Sequence, residues 1–334
     1  MECHVKKMTK AMNINFHPGR DDFVDRLFSF LSKNLPVEVI NLKRIREHVF
    51  FVEAKPRPFI LKGYNNLSKL VLQQEFTNEL KKAGFNHTYE YYRFTEVPLY
   101  FENNYYGCIS YLDPHQYPFS FKTQAEREEG LEKLIDYHAV TKKLVSSYDS
   151  LLPTQNLIKK WSNRLRQFKN NQAIVNYYVP KNITYELNNW ANLALRGMRK
   201  HQLLFESSNP VILHGDVAHH NFFRVQTGEL FLIDFDLISK GPASFDLLQY
   251  ANRILPFMNW SLESLVEMEG LSDYINDKSF VYGLIYPSDV FREWNRVVKL
   301  KSYYDPSRVA PLMEITVNQY NQRKNFIEKL LKLV

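Results

Sequence analysis

The hydrophobic period of this chain changes twice, and the order of those changes limits the fold more than any other property of the sequence. Val49-Phe50-Phe51-Val52-Glu53-Ala54 and Phe59-Ile60-Leu61-Lys62 are β-branched and aromatic runs separated by the turn-forming Lys55-Pro56-Arg57-Pro58, a pattern that predicts two strands with a tight connection. Leu67, Leu70, Val71, Leu80 and Ala83 then recur near helical spacing, and Gly84 is placed to end that helix. Strand patterns return over 89–95, 99–101 and 105–112, with Asn103-Asn104 as a turn. Asp113-Pro114 breaks this run. The segments beyond it are mostly helical: one from Thr123 to about Ser147, with Glu126 closing a capping box, and another over 182–205. The expectation is an α+β chain, a β-rich region over 1–112 followed by a mostly helical region over 113–334.

One compact β interruption sits inside the helical part, over 211–213, 222–225 and 230–233, with Thr227-Gly228 as a turn. Between its strands lies His214-Gly215-Asp216-Val217-Ala218-His219-His220-Asn221, and its last strand runs into Asp234-Phe235-Asp236. A loop between strands can gather Asp216, Asn221 and Asp234 around one point. Two carboxylates and an amide carbonyl are the hard oxygen donors that suit Mg²⁺, which keeps coordination positions free for phosphate oxygens.

Composition removes several other classes. With 334 residues, 45% hydrophobic and 24% charged, the chain has ample material for a core. No apolar run approaches the roughly 18 to 20 residues that a membrane-spanning helix needs. The net charge of +7 is not gathered into a basic stripe, so nucleic acid is not an expected partner. Cys3 and Cys108 are too few for a disulfide framework, and the lysines near the N-terminus have no apolar run behind them, which together predict a cytoplasmic protein.

His-Gly-Asp followed five residues later by Asn, then a strand ending in Ile-Asp-Phe-Asp, resembles the catalytic core of the aminoglycoside phosphotransferase and choline kinase superfamily, relatives of the protein kinases. The resemblance implies a two-lobed protein kinase-like fold and transfer of the γ-phosphoryl group of ATP to a small-molecule hydroxyl. It makes Asp216 the catalytic base and Asn221 and Asp234 the Mg²⁺ ligands, with Asp236 an auxiliary ligand. Lys62, at the end of a strand and just before a helix, stands where the family places its phosphate-binding lysine. Glu75 is the expected partner of that lysine, with Glu79, one turn on, as the alternative. Phe245-Asp246-Leu247-Leu248 resembles the segment in which an Asp buttresses the catalytic loop. Within the superfamily the texture is nearest to bacterial spore-coat kinase-like proteins.

Two departures stand out. The segment 42–48, where the family has a phosphate-covering loop, contains no glycine, which hinders close backbone approach to phosphate. Ala218 occupies a position where many members carry His or Lys, leaving His219 and His220 as candidates to contact the transferred phosphate. A structural protein that kept the fold, such as a spore-coat component, is the alternative that the glycine-free segment favours. A transition-metal hydrolase built on His214, Asp216, His219 and His220 would leave Asn221 and Asp234 unexplained. The span between Asp234 and Asp246 is too short for a long activation segment, which argues against a regulated protein kinase. Glu263, Glu267, Glu269, Asp273, Asp277, Asp289 and Glu293 form an acidic run compatible with a cationic amine or amino sugar as acceptor, or with a solvated face.

Overall fold

A computed structural model describes residues 22–201 and 209–334. It divides into two compact units, Met1–Ser120 with His219–Leu237, and Phe121–Ala218 with Ile238–Val334.

In the first unit, α1 (Asp22–Asn34) leads into β1 (Glu38–Arg46), β2 (Val49–Lys55) and β3 (Phe59–Tyr64), followed by α2 (Leu67–Lys82), β4 (Tyr91–Tyr92), β5 (Leu99–Phe101) and β6 (Asn104–Ser110). The strands form one antiparallel sheet in the order β1-β2-β3-β6-β4, with β5 also pairing β6. The segment 42–48 is therefore not a loop. Residues 42–46 lie in β1, and Glu47-His48 makes a two-residue turn in which His48 adopts a left-handed φ of 56°. The strand is hard to read in the sequence because bulges between Val39 and Asn41 and between Arg44 and Arg46 break the two-residue alternation. Its buried residues, Val39, Leu42 and Ile45, consequently fall at a spacing of three. α2 is capped by Asn66 at its start. At its end Gly84, with φ 108°, supports a Schellman pair, Phe85 N–H to Leu80 O and Gly84 N–H to Lys81 O. Cys108 is buried on β6, and burial pushes its thiol up to about 12.

The segment 219–237 groups with these strands. Its hairpin, β8 (Phe222–Arg224) with β9 (Leu230–Leu232), is tied to the first unit by Leu232 N–H to His87 O at 2.9 Å and His115 N–H to Arg224 O at 3.0 Å. Phe235 packs against Phe76 and Tyr89.

The second unit contains α3 (Gln124–Leu144), α4 (Leu157–Asn170), α5 (Gln172–Tyr178), α6 (Lys181–Lys200), β7 (Val211–Leu213), β10 (Ser239–Gly241), α7 (Ser244–Ile254), α8 (Leu262–Val266), α9 (Lys278–Ile285), α10 (Ser288–Lys299), α11 (Pro306–Met313) and α12 (Tyr320–Leu330). The expected capping box is present, Thr123 Oγ1 accepting from Glu126 N–H while the Glu126 carboxylate accepts from Thr123 N–H. The expected helix over 182–205 is α6, and its predicted end lies outside the described residues. The sequence groups three strands into one β interruption; instead β7 pairs β10 and β8 pairs β9, as separate two-stranded ladders. α10 packs on α4, with Phe168 of α4 against Phe291, and Trp161 of α4 stacks on Tyr286 just after α9. Among the described residues no helix is long and apolar enough to cross a membrane.

Candidate active site

Lys62 lies on β3 between Val49 of β2 and Gly107 of β6 in the ladder, with its side chain only 8% exposed. A buried ammonium needs compensation. It comes from the segment after β9: Lys62 Nζ is 2.7 Å from Asp234 Oδ1 and 2.8 Å from Asp236 Oδ1. The second contact is off the hydrogen-bonding direction, so Asp236 Oδ1 is buried without an aligned donor. Arg46, from the end of β1, donates to Asp234 Oδ2 at 3.0 Å, and Lys69 Nζ lies 3.8 Å from Asp236 Oδ2. Burial pushes the Asp234 carboxyl up, but Lys62 and Arg46 outweigh that effect and hold it well below the usual carboxylate range. Asp234 has a left-handed φ of 69°, a conformation that Asp tolerates better than most residues and that costs on the order of 1 kcal/mol. The two cations on its carboxylate help hold it there.

Asn221 is 2% exposed and ends a short 3-10 turn, His219–Asn221. Its carbonyl accepts from Ile233 N–H at 2.9 Å, which sets it beside the residue that precedes Asp234. The first unit thus brings together Lys62, Asp234 and Asp236, and the Asn221 backbone is tied to the strand end that precedes them.

Glu75 is not brought to Lys62. The buried stripe of α2 is Leu70, Gln73, Phe76, Thr77 and Leu80; Glu75 is two residues, about 200°, from Gln73 and is exposed. Glu79 pairs with Lys82 instead. The inward position belongs to Gln73, which donates Nε2–H to Phe235 O at 2.8 Å and leaves Oε1 buried without a partner. Helical spacing from Leu70 and Phe76 was the available signal for Gln73, and it was missed because Gln is not an expected counter-ion. Arg46 was missed because its strand was read as a loop.

The second unit carries Asp216, and its loop is built on Asp246 as the sequence suggests. Fully buried Asp246 accepts from His214 N–H at 2.7 Å, from Gly215 N–H at 3.1 Å, and from His138 Nε2 at 3.1 Å. His138 is therefore a structural partner of that carboxylate. Gly215 takes φ 79°, and Gln249 holds its carbonyl at 3.2 Å. Asp216 is paired with Arg253 of α7, Nη2 to Oδ1 at 2.5 Å, a contact not foreseen from the sequence.

Several members of the acidic run are paired or used in capping, while Glu267, Glu269 and Asp273 are exposed. Asp289 is buried in a bidentate pair with Arg323 at 2.9 and 2.6 Å, Glu293 takes Arg292 and Arg296, Glu263 pairs with Lys329, and Asp277 caps α9. Among the described residues no three His, Cys, Asp or Glu side chains are grouped to hold a metal, which gives the histidine-based hydrolase site no support.

A sequence model described as the phosphotransferase enzyme family matches residues 40–270, more than half of the chain. The chain belongs to the phosphotransferase enzyme family. Its fold is similar to that of an aminoglycoside phosphotransferase from Alicyclobacillus acidocaldarius subsp. acidocaldarius DSM 446, with a TM-score of 0.70 at 14% identity over 95% of this chain and 97% of that one. The GDP and kanamycin complex of APH(2")-IIia matches with a TM-score of 0.60 at 11% identity, over 90% of this chain and 99% of that one. The AMP-bound complex of spectinomycin phosphotransferase matches with a TM-score of 0.54 at 12% identity, over 92% and 98%. No curated protein sequence matches this chain. The α+β, kinase-like phosphotransferase fold expected from the sequence is thereby shown.

Proposed function

We propose that this protein is a small-molecule kinase that moves the γ-phosphoryl group of ATP to a hydroxyl, acting in the cytoplasm. The observation that carries the reading is the clamp of buried Lys62 on Asp234 and Asp236, with Asn221 anchored beside them. Lys62 neutralises nucleotide phosphates, as the family resemblance implies, and the GDP and AMP complexes of the structural neighbours support a nucleotide ligand. Asn221, Asp234 and Asp236 fit Mg²⁺ by donor type, because Asp234 is held ionised and Asp236 supplies a second carboxylate on the same lysine. Bound there, Mg²⁺ would supply charge neutralisation of phosphate oxygens.

Asp216 orients the acceptor hydroxyl and takes its proton as the oxygen bonds to the γ-phosphorus. The bond from that phosphorus to the β,γ-bridging oxygen breaks and ADP leaves. Arg253 fixes the Asp216 carboxylate, and Asp246 fixes the loop that carries it.

The opposing reading, an inactive structural relative, draws on one observation: Arg46 already occupies Asp234 Oδ2, on a hairpin with no glycine at its tip. Phosphorus NMR of ATP with Mg²⁺ separates the two, with water standing in for the acceptor hydroxyl. Slow formation of ADP that is lost in both Asp216→Ala and Asp234→Asn supports the kinase. ADP formation equal in wild type and both variants would remove it.

A further inference from the structure

The buried stripe of α2 holds one side chain that apolar packing does not account for. Leu70, Phe76 and Leu80 fill the core, whereas Gln73, 1% exposed between them, carries an amide into it. Burying an amide is unfavourable unless its polar atoms are bonded. Only half of this one is: Nε2 donates to Phe235 O at 2.8 Å, and Oε1 is buried without a partner. The carbonyl it meets can only accept, which fixes the end of the amide that faces it. That carbonyl belongs to the residue between Asp234 and Asp236.

α2 holds Phe235 by its ring as well. The ring lies edge-on to Phe76, one turn after Gln73, with centroids 5.4 Å apart, and tilted against Tyr89 at 5.9 Å. The flanking carboxylates meet instead at Lys62 Nζ, 2.7 Å from Asp234 and 2.8 Å from Asp236. Neither acid of α2 is paired with that lysine: Glu75 is exposed and Glu79 is on Lys82. Lys69 of α2 stands 3.8 Å from Asp236 and is 42% exposed, a contact that solvent weakens. The helix therefore sets the two carboxylates chiefly through the peptide at Phe235, and the amide of Gln73 is the polar part of that hold.

We propose that Gln73 is a positioning residue for the cation site: by donating to Phe235 O it fixes the peptide that joins Asp234 to Asp236, so that both carboxylates are presented in one arrangement. The inference rests on the reading of those carboxylates as Mg²⁺ ligands. Where a helix acid would steady the site through a charge on Lys62, this chain steadies it through a neutral bond to the backbone. A side chain of matching length without a donor would fill the same space and lose that hold.

The test compares wild type with Gln73→Met, which keeps nearly the same length and volume and removes the donor together with the unpartnered acceptor, so it is expected to fold. Thr77→Val, on the same buried face, is the control, because Thr77 Oγ1 donates to Gln73 O and Gln74 O within the helix. Deuterium exchange of a peptide spanning 230–238 should be about fivefold faster in Gln73→Met, the loss of one amide-to-carbonyl hydrogen bond, and unchanged in Thr77→Val. Binding of Mn²⁺ in the presence of ATP, followed by water proton relaxation, should show a midpoint raised about tenfold in Gln73→Met and unchanged in Thr77→Val, the low end of what groups behind metal ligands contribute. Exchange equal in wild type and Gln73→Met would overturn the inference while leaving the kinase reading intact. Faster exchange with an unchanged Mn²⁺ midpoint, or a midpoint raised equally in Thr77→Val, would assign Gln73 to packing and overturn it as well. Wild type that binds no Mn²⁺ with ATP would defeat the kinase reading, and the positioning role with it.

Discussion

Replacing Asp246 by Asn keeps the shape of the group that builds the catalytic loop and changes its chemistry, so the loss follows from counting donors. The carboxylate takes His214 N–H and His138 on Oδ2 and Gly215 N–H on Oδ1. A carboxamide has one oxygen. Placed at the Oδ2 position it serves His214 and His138 but turns its NH₂ toward Gly215 N–H; turned the other way it strands two donors. At least one buried N–H is left unsatisfied, at about 1–3 kcal/mol, and the surviving bonds lose their charge assistance. The relief from burying a charge offsets part of this, giving a net loss of about 2–3 kcal/mol for Asp246→Asn. Asp246→Ala leaves all three donors bare and should cost about 3–5 kcal/mol. All four tryptophans, Trp161, Trp190, Trp260 and Trp294, belong to the second unit, so tryptophan fluorescence in urea follows the unit that carries Asp246.

The pH dependence adds a second reading. Burial pushes Asp246 up, but His138 and His214 outweigh it and hold the carboxyl below its ordinary range. A depressed folded-state pKa contributes stability that is complete above the unfolded value, about 4, and is lost as pH falls through the folded one. The gap between wild type and Asp246→Asn should therefore be full at pH 7 and shrink below about pH 4. A variant within about 0.5 kcal/mol of wild type at pH 7 would refute the buttress.

Arg46 shares Asp234 with the proposed cation site and is half-exposed, so Arg46→Ala should release no more than about 1 kcal/mol and lower the Mg²⁺ midpoint of ATP turnover up to roughly fivefold; a raised midpoint would make Arg46 a phosphate ligand instead. A Cβ at Gly107 would sit 2.7 Å from Leu70 Cδ1 and from the Tyr91 ring, beside Lys62 in the sheet, so Gly107→Ala should destabilise the first unit by about 1–3 kcal/mol, read by urea-dependent proteolysis. With its thiol pushed up to about 12 by burial, Cys108 in a Cys3→Ser protein should resist a disulfide reagent at pH 8 until denaturant is added; prompt reaction would contradict its packing.

What could be read in advance was local. The hairpin, α2 with its glycine stop and the capped α3 announce themselves through period and caps; Asn221 and Asp234 stand in the spacing of a loop between strands, and Lys62 and Asp236 follow from the family resemblance. What failed needed tertiary knowledge. Bulges hid β1, and with it Arg46. The choice of Glu75 followed charge rather than the face of the helix, which Gln73 occupies. The acidic run is continuous in sequence, but Asp289 and Glu293 are spent on arginines.

The central claim is tested most directly by a thermal-shift titration with ATP and Mg²⁺ on wild type and Asp234→Asn. A ligand that binds only the folded state stabilises it by about 2.7 kcal/mol at a hundredfold excess over its Kd. The predicted result is a magnesium-dependent rise in wild type, measured from each protein's own ligand-free melting temperature, that is abolished in Asp234→Asn. No rise in wild type at millimolar nucleotide, or an equal rise in both proteins, would contradict it.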